Sequence, residues 1–176
     1  MKEIRMTNKL LIALIGLSLL ACNFLFPPKA TSVPETRNDS LPVSGTFTIV
    51  RLRPNDGDLK TMLASEAQKA VALDQMPVVE FDAAWCPPCK AIDQGLKEKN
   101  QLMLDAYAGT YIIKLDVDEW GWGNSPLHDF DFDGIPVYFI LDGNGNPTGA
   151  TVDGNAWADN IPENMAPVMD AFFHGE

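Results

Sequence analysis

Between residues 59 and 75 the apolar positions Leu59, Met62, Leu63, Ala67, Ala70, Val71 and Leu73 recur at three- and four-residue intervals, the spacing that lines one face of a helix. The pattern predicts an amphipathic helix from Leu59 to Gln75, preceded by the turn and cap residues Asn55-Asp56-Gly57-Asp58 and stopped before Pro77. Thr46 to Leu52 alternates as a first strand, and Pro77-Val78-Val79-Glu80-Phe81-Asp82 reads as a largely buried second one. Ile92, Leu96, Leu102 and Leu104 predict a further helix, weakened at Gly95 and broken near Asn100. Tyr111 to Val117 is a third strand, followed by a long connection from Asp118 to Asp133 with one helical turn near Pro126. Val137 to Leu141 and Thr148 to Val152 flank Asp142-Gly143-Asn144-Gly145-Asn146-Pro147, whose turn chemistry predicts a hairpin. A last helix is expected within Asn160 to Phe173, with Pro167 in its first turn and the regular part starting near Asn164. The order βαβαβ, then hairpin and helix, predicts an α/β domain: a central mixed sheet with helices on both faces.

Candidate chemistry enters between the second strand and the helix that follows it. Trp85-Cys86-Pro87-Pro88-Cys89-Lys90 places two cysteines two residues apart, a spacing that can close a small disulfide ring. At a helix start, unpaired N–H groups and the positive end of the helix dipole favour a thiolate. Cys86 is therefore the candidate nucleophile. Cys89, one turn further in, is the candidate resolving thiol, expected to be covered where Cys86 is exposed. Glu80, in the buried strand, is an acid at a place where an acid is costly.

The N-terminal pattern differs from the rest. Met1 to Cys22 has a basic start and an apolar stretch from Leu10 to Ala21, too short to span a bilayer comfortably and typical of a secretory signal. Leu19-Leu20-Ala21-Cys22 resembles the bacterial lipoprotein box, with Leu20 a less usual choice before the small residue. Residues 1–21 are thus expected to be a signal peptide and Cys22 the lipid-bearing first residue after cleavage. A Pro-, Ser- and Asn-rich flexible tether over 22–45 would join it to a folded domain over 46–176. The lipid leaves Cys86 and Cys89 as one isolated pair. The expected location is the bacterial cell envelope, extracytoplasmic and lipid-anchored to membrane. The chain's net charge of −11 becomes −13 once the signal is removed, which excludes a polynucleotide partner.

Several matches resemble the thioredoxin superfamily, over roughly Phe47 to Phe173. They are Trp85 through Lys90, the acid six residues before the first cysteine, Lys114 in Lys114-Leu115-Asp116-Val117-Asp118, Gly134-Ile135-Pro136, and Gly154 near the last strand. The resemblance implies a thioredoxin-like fold in which Pro136 is cis and lies against the cysteine pair, keeping metal out. It implies that the backbone of Ile135 pairs with a substrate strand, that Trp85 belongs to the substrate surface, and that Glu80 exchanges a proton with Cys89 beside Lys114. Desolvation raises a carboxyl's pKa and an ammonium partly restores the charged form, as an acid–base group near neutrality requires. Two features depart from the family: glutamate replaces the usual aspartate, and Pro87 removes an N–H beside Cys86.

Other sites fail on their spacing. Asp129, Asp131 and Asp133 open a calcium-type loop whose twelfth position is Ile140, and Pro147 and missing flanking helices spoil the run from Asp142. Zinc at the cysteines would need two further ligands, with only His128 and His174 on offer, and haem attachment would need histidine where Lys90 stands. Asn38-Asp39-Ser40 is a glycosylation triplet without use in a bacterial lipoprotein. Trp120 and Trp122 either line a substrate rim or pack the long connection onto the core. The expected function is a monomeric thiol–disulfide oxidoreductase, a disulfide reductase needing no cofactor beyond Cys86 and Cys89. It would act on protein thiols and disulfides and draw electrons from another redox protein. The alternative is a module of the same fold that binds extended polypeptide at Ile135-Pro136 without turnover.

Overall fold

In the computed structural model, which describes residues 45–122 and 127–175, the sheet is built on two strands buried on both faces. These are β2 (Met76–Asp82) and β3 (Thr110–Asp116), parallel and in register from Met76 opposite Thr110 to Asp82 opposite Asp116. Outside β3 lies β1 (Thr48–Arg51), parallel to it, and outside β2 lies β4 (Val137–Leu141), antiparallel, followed by β5 (Pro147–Asp153). The sheet order is therefore β1-β3-β2-β4-β5, a mixed sheet as expected. Residues alternate between faces along β2: Val79 and Phe81 join one apolar cluster with Leu59, Leu63 and Ala70 of α1 (Leu59–Ala72). Val78 joins the opposite cluster with Ile92 of α2 (Pro87–Lys97), Met103 and Tyr107 of α3 (Gln101–Tyr107), and Met165 and Phe173 of α5 (Pro162–His174). All described residues lie in one compact unit, Asp39–Glu176.

Helix starts follow their caps. The Asp58 carboxylate accepts from Thr61 N at 2.9 Å, and the Asn100 side chain accepts from Met103 N, so the expected break at Asn100 is the start of α3. The first helix stops three residues short of Gln75. Asp74 turns to φ 57°, and Gln75 N bonds back to Ala70 O at 2.9 Å. Val71 and Leu73, counted above in the apolar stripe, are exposed instead.

The C-terminal helix starts earlier than its pattern predicts, at Pro162 rather than near Asn164. Pro162, not Pro167, occupies the first turn, and Pro167 lies inside the helix. An interior proline costs about 3 kcal/mol. Burying Met165, Met169 and Phe173 returns roughly 1.5–3 kcal/mol each, so packing outweighs the local penalty and the helix runs on. Between β3 and β4, Asp116 caps the short α4 (Val117–Trp120), and the Trp120 indole donates to Leu52 O at 3.1 Å. The hairpin forms as expected, with Asp142 Oδ1 accepting from Asn144 N and Asn146 N. The expected signal, the expected lipid site Cys22, the expected tether up to residue 44 and the expected turn near Pro126 lie outside the described residues. Among those residues no helix is long and apolar enough to cross a membrane.

Candidate active site

The cysteine pair is set by the start of α2. Cys86 is the N-cap, and Pro87 and Pro88 fill the next two positions without N–H groups. The first amide available in the helix is therefore that of Cys89, and it donates to Cys86 Sγ at 3.2 Å. The two sulfurs form a disulfide with Cα atoms 5.3 Å apart. Contrary to the expected contrast, Cys86 is as covered as Cys89, at 1% and 2% exposure. The N-cap position turns its sulfur inward over the helix end, and both join the cluster that contains Phe81, Ala83 and Val137. Trp85 stands out from the surface, its indole N–H donating to Asp118 Oδ2 at 2.8 Å.

The Ile135-Pro136 peptide bond is cis, and Ile135 packs against the same cluster as the cysteines. Gly154 N donates to Pro136 O at 2.9 Å, and a Cβ on Gly154 would come within 3.1 Å of the Pro136 ring. The glycine leaves room for the proline to sit there.

On the α2 side of the sheet the structure gathers buried charge. Glu80 and Lys114 are direct partners across β2 and β3, and Lys114 Nζ lies 3.2 Å from Glu80 Oε1, 3.2 Å from Asp82 Oδ2 and 2.6 Å from Asp93 Oδ1. Arg51 of β1 grips Asp82 through two bonds of 2.9 and 2.6 Å. Glu80 is 1% exposed, and among the described residues its Oε1 finds no hydrogen-bond partner, with Lys114 Nζ 3.2 Å away as an ion-pair contact. Burial pushes the Glu80 carboxyl up to about 7 against the pull of Lys114. For Lys114 burial works against the charge, but Glu80, Asp93 and Asp82 outweigh it and hold the ammonium above its ordinary value. Sequence reasoning named Glu80 and Lys114 and missed Arg51, Asp82 and Asp93. The signals available were Asp82 two residues along the same strand face and Asp93 one helical turn after Cys89. Among the described residues no cluster of His, Cys, Asp or Glu is arranged to hold a metal ion.

The thioredoxin family profile, described as "Thioredoxin", matches residues 59–167, more than half of the chain. The chain belongs to the thioredoxin family. It is 29% identical over 134 residues to the thioredoxin-like protein HCF164, chloroplastic, of Oryza sativa subsp. japonica, covering 75% of this chain and 50% of that protein. It is 28% identical over 133 residues to the thiol:disulfide interchange protein TxlA of Synechococcus elongatus, covering 69% and 66%. The chain thus spans half to two thirds of the length of these relatives. The solved disulphide isomerase of Xylella fastidiosa Temecula1 matches with a TM-score of 0.50 at 21% identity, over 68% of this chain and 91% of its own, a likeness of fold.

As a member of this family the chain resolves the two tryptophans of the long connection differently. Trp120 is buried and tied to Leu52, whereas Trp122 is exposed, its ring 5.6 Å from that of Phe132. The Glu80 environment also has a stability consequence. An unfolded chain releases this proton near pH 4.5, the folded one near 7, so Glu80's contribution is complete below 4.5 and is lost as pH rises to 7. In urea unfolding of the oxidised protein, Glu80→Gln is expected to gain on the parent across that window, by on the order of 2 kcal/mol. A difference between the two that ignores pH would show that Glu80 releases its proton at the same pH in the folded and unfolded chain, with no effect of burial.

Proposed function

We propose that this thioredoxin-family chain is a thiol–disulfide oxidoreductase that reduces protein disulfides outside the cytoplasm, held to a membrane by lipid on Cys22. The observation that carries the redox reading is the Cys86–Cys89 disulfide closed at the N-terminus of α2, next to a sheet face bearing a buried carboxyl. The Synechococcus relative is named as a thiol:disulfide interchange protein, which supports the same class of reaction.

In the reduced chain the Cys86 thiolate, favoured at the helix N-terminus, attacks one sulfur of a substrate disulfide. A Cys86–substrate disulfide forms and the first substrate thiolate leaves. Glu80 takes the Cys89 proton, and the Cys89 thiolate attacks Cys86 Sγ, releasing the second substrate thiolate and closing the Cys86–Cys89 bond. Two electrons pass to the substrate, whose thiolates take up two protons. A dithiol protein must then return two electrons to the chain. Ile135 and Trp85 would hold the extended substrate segment beside the cysteines.

Insulin reduction with dithiothreitol tests the activity: the parent is expected to accelerate it, and a chain that binds unfolded polypeptide but leaves the rate at background would be a binding module. The membrane tether rests on the apolar segment ending at Ala21-Cys22 and the tether after it. Cys22→Ser is expected to shift the protein from the membrane pellet to the soluble fraction, or to leave it unprocessed. Unchanged attachment and mass would remove the lipid from the account.

A further inference from the structure

The exchange mechanism uses Glu80 but leaves its neighbours Lys114 and Asp93 unexplained. Lys114 Nζ is nearly buried, and its shortest contact is with Asp93, at 2.6 Å, not with Glu80 at 3.2 Å. Asp93 differs from the other two carboxylates around Lys114 in reaching water, its side chain being 53% exposed while those of Glu80 and Asp82 are buried. Four residues after Cys89 on α2, it shares that residue's helix face. The two line a cleft of about 280 Å³ with Asp82, Arg51 and Lys90.

The charges around Glu80 can be counted element by element. From β1 and β3 come Arg51 and Lys114, both positive; from β2 and α2 come Asp82 and Asp93, both negative. Tyr138 of β4 and Tyr107 of α3, whose hydroxyls lie 3.0 Å apart, are kept neutral by burial. Asp116 and Glu119 lie farther out along the cleft beside Arg51 and Arg53, and Lys90 faces the same cleft from α2. The inner cluster of two cations and two aspartates is already balanced. A charge on Glu80 would be a third anion in a place with no hydrogen bond for its Oε1.

We infer that Asp93 is a positioning residue for the thiol exchange: by engaging Lys114 from the cleft it completes the charge balance without Glu80, leaving Glu80 free to give up and take back a proton. This rests on the reading of Glu80 as proton partner of Cys89. Without the Asp93 carboxylate, Lys114 would turn to Glu80, which would become a permanent anion and a weaker base. Direct attraction at close range within a buried site is enough to move a carboxyl by about one pH unit or more.

The test follows Glu80 itself, by carbon NMR of its side-chain carboxyl during pH titration of the oxidised full chain, with Glu80→Gln to assign the signal. In Asp93→Asn the Glu80 midpoint is expected about one pH unit lower than in the parent, and Asp93→Glu is expected to restore it. The pH profile for release of a mixed disulfide preformed on Cys86 should move down by the same interval, a shift that general loosening of α2 would not produce. An unmoved Glu80 midpoint overturns the inference, as does a moved midpoint with an unmoved release profile. If the parent fails to reduce insulin at all, the oxidoreductase reading fails, while the Glu80 titration still reports whether Asp93 sets its proton balance.

Discussion

Cys89→Ser, recovered from cells after acid quenching, is expected to run on a non-reducing gel as a ladder of adducts with partner proteins, and Cys86→Ser as the monomer alone. Exposure does not divide the labour between the two cysteines, since the closed disulfide covers both. Their places in α2 do. Cys86 is the N-cap, where its sulfur faces the helix N-terminus and accepts the Cys89 amide, so charge on that sulfur is stabilised. Cys89 lies within the first turn, past the N-cap where the helix N-terminus acts most strongly, and its amide supports the Cys86 sulfur. Without Cys89, the mixed disulfide formed at Cys86 has no internal thiol to displace it and accumulates. Without Cys86, insulin reduction should fall to the uncatalysed rate. Adducts through Cys89 alone would reverse the two roles.

Gly145→Ala is expected to cost the fold about 3 kcal/mol, roughly a hundredfold in the folding equilibrium. Gly145 sits in the β4–β5 turn at φ +83°, and its amide donates to Asp142 O at 3.0 Å. A Cβ there would stand 2.6 Å from Ala64 N and from Leu63 C, backbone atoms in the middle of α1 that cannot rotate away. The left-handed backbone accounts for about 1–2 kcal/mol of the penalty, and the forced separation of turn and helix for a further 1–3. Gly149→Ala separates these terms, because Gly149 has φ +93° and nothing within 4 Å of its added Cβ. Urea unfolding should show Gly145→Ala losing at least twice as much stability as Gly149→Ala. Equal losses would mean that the contact with α1 carries no weight.

The periodicity of the chain was enough to place the strands, the break at Asn100 and the hairpin, because these depend on neighbours within a few residues. It misjudged Val71 and Leu73, which are apolar at helical spacing yet exposed. The helix ends just after Ala72, and both side chains stand mostly in solvent. Pro167 was misplaced for a related reason: a local rule puts proline in a first turn, while the buried face of α5 held the helix together around it.

By itself the sequence determined that a cysteine pair opens a helix after a buried strand, and that an acid and a lysine lie on buried strands. These follow from residue type and short-range spacing. Only the tertiary structure decided that Glu80 and Lys114 are register partners, that Asp93 reaches Lys114 from α2, and that Arg51 neutralises Asp82. It also separated buried Trp120 from exposed Trp122 and covered both cysteines. The reason is physical: the charge of Glu80 depends on burial and on side chains 2 to 34 positions away in sequence, and those distances exist only once strands and helix have packed.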